Sequence, residues 1–131
     1  MRLINFGPGE MADRLTILSL KILHAKELNK PVDHFEQERN ALLAQFPRAP
    51  LAKTWFEQFL ELQAVNAIIW QDTDDVRAIR TNGMQTRESA PRDTAQLAAL
   101  CVRLQVMNDR RAQLISLINV NLGATAVEEK I

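Results

Sequence analysis

The sequence predicts an all-α protein, folded as a single-domain antiparallel bundle of three long helices and one short helix. Three observations support this class. Apolar residues recur at three- and four-residue spacing in three long stretches, which is the period of an amphipathic helix. The aromatic share is 5% and the chain has four glycines, whereas β-sandwiches and barrels are richer in both. A chain of 131 residues is long enough to bury one substantial core.

The first helix is predicted over residues 9–29, after a Gly-Pro-Gly turn. Glu10 and Asp13 fall near its start, where the positive end of the helix dipole favours acids. Its apolar stripe contains Met11, Leu15, Leu18 and Ile22. Pro31 follows the stretch and predicts its end, because proline cannot continue a helix.

The second helix is short, over 33–46, with Asp33 as a candidate N-cap and Pro47 beyond its end. The third helix is predicted over 51–80. A loop is predicted over 81–92, where the helical period breaks.

The fourth helix is predicted over 93–122 with Gly123 as its C-cap, followed by a polar tail over 123–131. Cys101 lies within its apolar run, where we expect a buried small hydrophobic residue.

Charge and hydropathy exclude several partner classes. Sixteen basic and sixteen acidic residues cancel, and no basic patch stands out, so we expect no nucleic-acid partner. No stretch approaches the roughly 18 apolar residues of a membrane span, so we expect no membrane insertion. The first ten residues lack the apolar core of a secretory signal, and a cytoplasmic location is predicted.

Polar residues interrupt the apolar stripes of the two longest helices. In the third helix Asn66, Trp70, Asp74 and Arg77 are spaced four, four and three residues apart, and we expect this face to point inward. In the fourth helix Asn108, Arg111 and Asn119 lie within the apolar run. A buried amide without a partner costs about 1–3 kcal/mol and a buried charge costs more. We therefore expect Arg111, Arg77 and Lys21 to donate charge-assisted hydrogen bonds to Asp13 or Glu10 of the first helix and to Asp74 of the third.

The sequence therefore predicts a polar layer inside the bundle. Its candidate ligand-binding residues are Glu10, Asp13, Lys21, Asn66, Trp70, Asp74, Arg77, Asn108 and Arg111. Two interpretations stay open. The layer is either a network that sets helix register, or a cleft for a small anionic ligand with Lys21, Arg77 and Arg111 as cations and Trp70 as a stacking wall.

Metal binding is a third possibility, since five acids offer the oxygen ligands that magnesium prefers: Glu10, Asp13, Asp72, Asp74 and Asp75. The segment "DTDD" lacks the glycine and the terminal glutamate of a calcium loop, so we assign no metal ligands. Asp72 alone is interpreted as a solvated acid of a helical turn, paired within its own helix. No serine, cysteine or histidine lies in a nucleophile motif, and no phosphate loop is present, so no catalytic residue is assigned.

Three segments carry a resemblance to a known family. They are "PGEMADRLTILSLK", "NAIIWQDTDDVR" and "MNDRRAQLISLINVNLGATAVEEK". Together they resemble a family of small, all-helical bacterial and phage proteins of unknown function, over nearly the whole chain. The matching positions are Gly9, Glu10, Asp13, Thr16, Lys21, Asn66, Trp70, Asp74, Arg77, Asn108, Asp109, Arg111, Asn119, Gly123, Glu128, Glu129 and Lys130.

The resemblance implies an association rather than an activity. Such proteins look like companions of sugar-transfer genes for cell-surface polysaccharides, which suits a nucleotide-sugar ligand or a glycosyltransferase partner. Thr73 stands where we expect the family to carry an acid, which argues against a carboxylate-rich metal site.

The function predicted from these observations is a helical-bundle binding or accessory protein for a small anionic ligand, with no cofactor assigned. Two alternatives are retained. One is a magnesium-dependent nucleotide phosphohydrolase, although the paired glutamates typical of the all-helical class are absent. The other is a purely structural or interaction protein, such as a homodimer.

Overall fold

The protein is all-α, as the sequence predicts. The structure, a computed structural model, describes residues 7–46, 53–82 and 90–122; of these residues 93% are helical and none lies in a strand. The helices are α1 (Pro8–Glu27), α2 (Asp33–Gln45), α3 (Lys53–Asn82) and α4 (Ala90–Leu122). The predicted three long helices and one short helix are confirmed. The loop predicted over 81–92 overlaps the end of α3 at Asn82 and the start of α4 at Ala90, and its residues 83–89 lie outside the described residues, as do Gly123 and the polar tail.

The start of α1 follows from its Gly-Pro-Gly sequence. Gly7 is the N-cap, with extended backbone, and its carbonyl accepts the first helical hydrogen bond from the N–H of Met11 at 3.0 Å. Pro8 occupies the first helical turn, where its missing N–H would have no helical partner and its fixed φ suits the helix. Gly9 is buried, and a Cβ atom there would overlap the backbone carbonyl of Ile115 in α4. The absence of a side chain therefore lets the two helices approach closely.

The end of α1 is a Schellman motif. The N–H of Lys30 donates to the carbonyl of Ala25 at 2.8 Å, and the N–H of Asn29 donates to the carbonyl of Lys26 at 3.1 Å. Asn29 has φ 55°, the left-handed region that asparagine tolerates better than most residues. The helix end predicted before Pro31 is thus a turn in which Asn29 adopts the left-handed conformation.

The start of α2 differs from the prediction. Val32 is the N-cap, and its carbonyl accepts the N–H of Glu36 at 2.9 Å. Asp33 is the first helical residue, and no side-chain hydrogen bond caps the helix. Asp33 is therefore an acid near the positive end of the helix dipole and not its cap.

The packing of α1 against α2 forms a small hydrophobic cluster. Leu15, Leu18 and Leu42 are buried at its centre. The partly buried side chains around them are Met11, Phe35 and Phe46. Leu18 is fully buried, so the stripe predicted for the first helix is the face that α2 covers.

The chain divides into two compact units. The first contains Met1–Ala64 and Ala112–Ile131, and the second contains Val65–Arg111. Both α3 and α4 contribute residues to each unit, so the first unit is formed from two separate pieces of sequence, whereas the second is one continuous piece. The single-domain bundle stays a prediction.

In the second unit α3 and α4 are antiparallel. Asp72 of α3 contacts Arg103 of α4. If the helices were parallel at this contact, the end of α3 and the start of α4 would lie about 35 Å apart at 1.5 Å per helical residue. The connection between them extends at most about 29 Å. The contact therefore excludes a parallel pair, and we infer that the two helices are antiparallel here.

Two further findings concern surfaces. Cys101 is exposed, which corrects its predicted burial. It lies about 100° around α4 from the buried Leu100, on the edge of the helix face that packs. In the part of the chain that the structure describes, no helix has both the length and the apolarity needed to cross a membrane.

We expect Gly9→Ala to destabilise the protein by about 1–3 kcal/mol, because the added methyl group meets the Ile115 carbonyl. Helix propensity alone would favour alanine by about 0.5–1 kcal/mol, so the sign of the change reports the close approach. Urea unfolding measures it. Ser19→Ala, at an exposed position of α1, is the control and should be neutral or slightly stabilising. A Gly9→Ala protein as stable as the parent would contradict the packing of α1 on α4.

Candidate functional site

Asn119 joins the end of α4 to the first turn of α1 within the first unit. Its Oδ1 accepts the backbone N–H of Gly9 at 2.7 Å. Its Nδ2 donates to both carboxylate oxygens of Glu10, at 2.8 and 3.1 Å. The reversed amide orientation would set a donor against the N–H and an acceptor against the carboxylate, so these partners determine the orientation. Asn119 thus satisfies one of the four N–H groups that a helix start leaves unpaired.

This contact changes the role predicted for Glu10. The sequence pattern pairs the acids of the first helix with arginine or lysine. The structure pairs Glu10 with an amide of α4. Asp13, the second acid, is buried, and its backbone carbonyl accepts a hydrogen bond from the Thr16 hydroxyl at 2.7 Å.

Lys21 lies in the α1–α2 contact. Its ammonium is 5.7 Å from the centre of the Phe35 ring, within the range of a cation–π interaction. Nearby, Arg14 binds Glu38 through two hydrogen bonds, Nε to Oε2 at 2.5 Å and an Nη to Oε1 at 2.8 Å. These hydrogen bonds, followed by the charges of Arg14, Lys21 and His34, hold the pKa of Glu38 below its usual value against the effect of burial. Lys21 thus contacts α2, and its role as a cation of a shared layer stays a prediction.

The predicted inward face of α3 is only partly inward. Asn66 is buried and Trp70 is half-buried, but the side chains of Asp74 and Arg77 are 52% and 75% exposed. A spacing of four residues turns about 40° around the helix at each step, so Asp74 lies about 80° from Asn66. Arg77 lies near the end of α3. The inward prediction is therefore wrong for Asp74 and Arg77, which instead form an i,i+3 pair at 3.8 Å on the surface.

The polar residues of α4 also divide between surface and interior. Asn108 is exposed, which corrects its inward prediction, and Arg111 is half-buried. Asn108 lies about 80° around the helix from Leu100, whereas Arg111 lies close to the packed face.

Antiparallel register places some of these groups at one height in the second unit. Asp72 is opposite Arg103, and from this contact the two helices run in opposite directions. Asn66, six residues before Asp72, is therefore opposite Asp109, six residues after Arg103. Asn66 therefore lies at about the level of Asn108 and Arg111. Asp74 and Arg77 lie about 12 and 16 Å further along α3, so the predicted residues of this helix form a column rather than a layer.

The sequence interpretation of Asp72 as a solvated acid paired within its own helix is wrong. The Asp72 carboxylate has no exposed area, and it accepts hydrogen bonds from Arg103 Nε at 2.7 Å and Nη2 at 2.5 Å. These bonds lower the pKa of Asp72, burial opposes them, and the charge of Arg103 adds to the lowering. Asp72 is thus an interhelical anchor and not a solvated acid.

A signal for Asp72 is present in the sequence. Asp72 follows Val65 by seven residues and Ile69 by three, which places it on the apolar face of α3. The neighbouring acids of "DTDD" obscure this phase, because acidic runs usually lie in solvent. Of the three, Asp74 is exposed and Asp75 accepts a hydrogen bond from the exposed Gln71 at 3.0 Å.

The magnesium hypothesis gains no ligand set from the structure. Among the residues described, no three histidine, cysteine, aspartate or glutamate side chains gather where a metal ion could bind. Glu10 and Asp13 belong to the first unit, and Asp74 and Asp75 belong to the second.

The nine predicted site residues are divided in the same way. Glu10, Asp13 and Lys21 belong to the first unit. The six others, Asn66, Trp70, Asp74, Arg77, Asn108 and Arg111, belong to the second. A polar layer shared by all nine stays a prediction.

Comparison of the chain with protein-family models, with curated proteins and with solved structures finds no match.

We expect Asp72→Asn to lower the free energy of unfolding by about 1–2 kcal/mol at pH 7, because the amide keeps the shape but presents a donor to Arg103. The exposure of Arg103, 57% of its side chain, keeps the loss moderate. The pKa of Asp72 is lowered in the folded state, so its contribution is present above the ordinary pKa of about 3.9 and is lost as pH falls further.

Urea titrations at several pH values measure this difference. The gap between the parent protein and Asp72→Asn should be constant near neutrality and should close below about pH 4. Asp74→Asn is the matched control, and its surface pair should change stability by no more than about 0.5 kcal/mol. Equal losses for the two variants would show that Asp72 is not the anchor.

We expect Asn119→Asp to destabilise the protein by about 1–3 kcal/mol at neutral pH, because it sets a second carboxylate against Glu10 and removes the Nδ2 donor. Acidification should reduce this loss, since one protonated carboxyl can donate to the other. Asn121→Asp is the control, because the exposed Asn121 donates through Nδ2 to an uncharged partner, Gln58 Oε1, at 2.7 Å. Thermal unfolding from pH 7 to pH 4 compares them, and a pH-independent loss would contradict the Glu10 contact.

Proposed function

We propose that this protein is a non-catalytic binding or accessory module that accepts a small anionic ligand, such as a nucleotide or a nucleotide-sugar. The proposed site lies on the second unit, along α3. Its principal residues are Arg77 as the cation and Trp70 as the surface against which a ring stacks.

The observation that carries the proposal is the exposure of the Arg77 guanidinium. The side chain is 75% exposed, and its contact with Asp74 is 3.8 Å long between two exposed groups. Such a surface pair contributes about 0–1 kcal/mol, so the ion pair holds the guanidinium only weakly. A phosphate group binds a guanidinium through two parallel hydrogen bonds, which is a stronger contact than this one.

Trp70 supports the same site. It precedes Arg77 by seven residues, so the two lie on the same side of α3, about 10 Å apart along the helix axis. Trp70 is half-buried, which leaves part of the indole at the surface. An aromatic ring and a cation at this separation suit a ligand that carries a base at one end and a phosphate at the other.

Arg111 is a second cation of the proposed site. It belongs to α4, and in the antiparallel register it lies about 9 Å from Trp70 and about 20 Å from Arg77 along the helix axis. A guanidinium on each helix suits a ligand with more than one negative group. The resemblance to proteins that accompany sugar-transfer genes favours a nucleotide-sugar among such ligands, together with a cytoplasmic location and a glycosyltransferase as partner.

We expect Arg77→Ala to weaken binding of a nucleotide or nucleotide-sugar about tenfold or more, which corresponds to about 1.4 kcal/mol for the lost phosphate contact. A thermal-shift screen against nucleoside diphosphates and their sugar conjugates identifies the ligand, and calorimetry measures its affinity. Arg111→Ala should also weaken binding of the same ligand.

Lys53→Ala is the matched control. Lys53 is an exposed cation of the same helix and also forms a 3.8 Å surface pair, with Glu57, but it belongs to the first unit. It should leave affinity unchanged. If Arg77→Ala and Arg111→Ala both fold and bind every identified ligand as the parent protein does, the proposed site is wrong.

A further inference from the structure

Helix α4 carries a second apolar face, opposite the one that packs. Leu100, Leu104 and Met107 lie on the packed side and are buried or half-buried. On the other side, Val102 and Val106 are 62% and 54% exposed. Exposed valines at this spacing are unusual on a helix surface whose other exposed positions are mostly polar or alanine.

The exposed face follows a heptad repeat through the second unit. Ala95, Ala99, Val102 and Val106 alternate at spacings of four, three and four residues, and all four are exposed. This alternation is the seam of a two-stranded coiled coil. The same series continues to Arg92 at one end and Asp109 at the other, both exposed.

The seam is complementary to a second copy of itself. In an antiparallel pair whose two-fold axis passes between positions 100 and 101, each valine meets an alanine: Ala95 meets Val106 of the second copy, and Ala99 meets Val102. A large residue opposite a small one at each layer fills the space between the two helices evenly. The ends then bring Arg92 of each copy opposite Asp109 of the other.

Charge decides between the possible pairings. A parallel, in-register pair would set Arg92 against Arg92 and Asp109 against Asp109, which repel. An antiparallel shift of one heptad towards the C-terminus pairs Asp109 with Ala99 and leaves Arg92 without an acid. Among the described residues neither Arg92 nor Asp109 forms an ion pair within the chain, so both charges are available.

We propose that the Arg92–Asp109 face of α4 is a self-association surface, on which a second copy of this chain packs in antiparallel orientation. The paired segment is about 27 Å long, and one helix pair of this length buries less than the roughly 800 Å² per partner of a standard interface. The dimer is therefore reversible. It does not depend on the anionic-ligand proposal, which uses α3 and Arg111.

Cys101 provides a probe of this geometry. It is the single cysteine of the chain, it is exposed, and it lies next to the two-fold axis. Because Cys101 lies about 130° around the helix from the centre of the seam, we place the two sulfur atoms of the dimer about 13–16 Å apart, on the same side of the helix pair. That distance exceeds the reach of a disulfide but suits a bismaleimide with a six-carbon spacer.

Sedimentation of the full chain over a broad concentration series tests the association, and bismaleimide crosslinking tests its geometry. We expect a reversible dimer and a crosslinked species that disappears in Cys101→Ser. Val102→Asp should raise the dimer dissociation constant about tenfold or more, because it places a carboxylate in an apolar seam. Val120→Asp, at an exposed valine of α4 outside the paired segment, should leave the constant unchanged.

A charge exchange separates the interface from effects on folding. Arg92→Asp and Asp109→Arg should each weaken the dimer, since each sets like charges opposite one another. The double variant restores opposite charges and should recover the dimer. Three results would each overturn the proposal. They are sedimentation as a monomer at every concentration, a dimer dissociation constant unchanged by Val102→Asp, and a double variant that dimerises no more tightly than the single variants.

Discussion

The buried carboxylate of Asp72 is the constraint on which the second unit depends. It has no contact with solvent, and a buried carboxylate is tolerated only when it is paired and hydrogen-bonded. Arg103 supplies both requirements with two hydrogen bonds from α4. Because guanidinium and carboxylate meet in a planar, two-point geometry, the contact sets the height of α4 against α3 as well as their proximity.

The consequences extend to the surfaces of both helices. Once Asp72 and Arg103 are opposite each other, Asn66 lies level with Asn108 and Arg111, and Arg77 lies towards the other end of the unit. The rotation of α4 that packs Leu100 also turns Val102 and Val106 outward. One ion pair therefore relates the proposed anion site on α3 to the proposed association face on α4, although neither surface includes Asp72.

The first unit depends on a different feature, the close approach of the α1 backbone to the α4 backbone. Gly9 has no side chain where α1 meets the Ile115 carbonyl, and Asn119 then reaches both the Gly9 N–H and the Glu10 carboxylate. The amide completes the hydrogen bonds of a helix start from another helix, a role that a residue within α1 usually fills. Asn119 and Glu10 are thus engaged in joining helices, whereas Arg77, an exposed cation of the second unit, has its ion pair within α3.

The sequence alone determined the class, the number of helices and most of their ends. These follow from properties that depend on a few neighbouring residues. They are the helical period of the apolar residues, the proline at the start of α1 and the Asn29 turn at its end. Burial of Asn66 was also within reach, because it lies on the apolar phase of α3. Only the tertiary structure decided that Asp72 is buried while Asp74 and Arg77 are exposed, since the packed arc of a helix depends on which neighbour covers it. The partner of Asn119 was likewise decided in three dimensions, because Gly9 and Glu10 are more than 100 residues away in sequence and meet it only where two helices come close enough to touch.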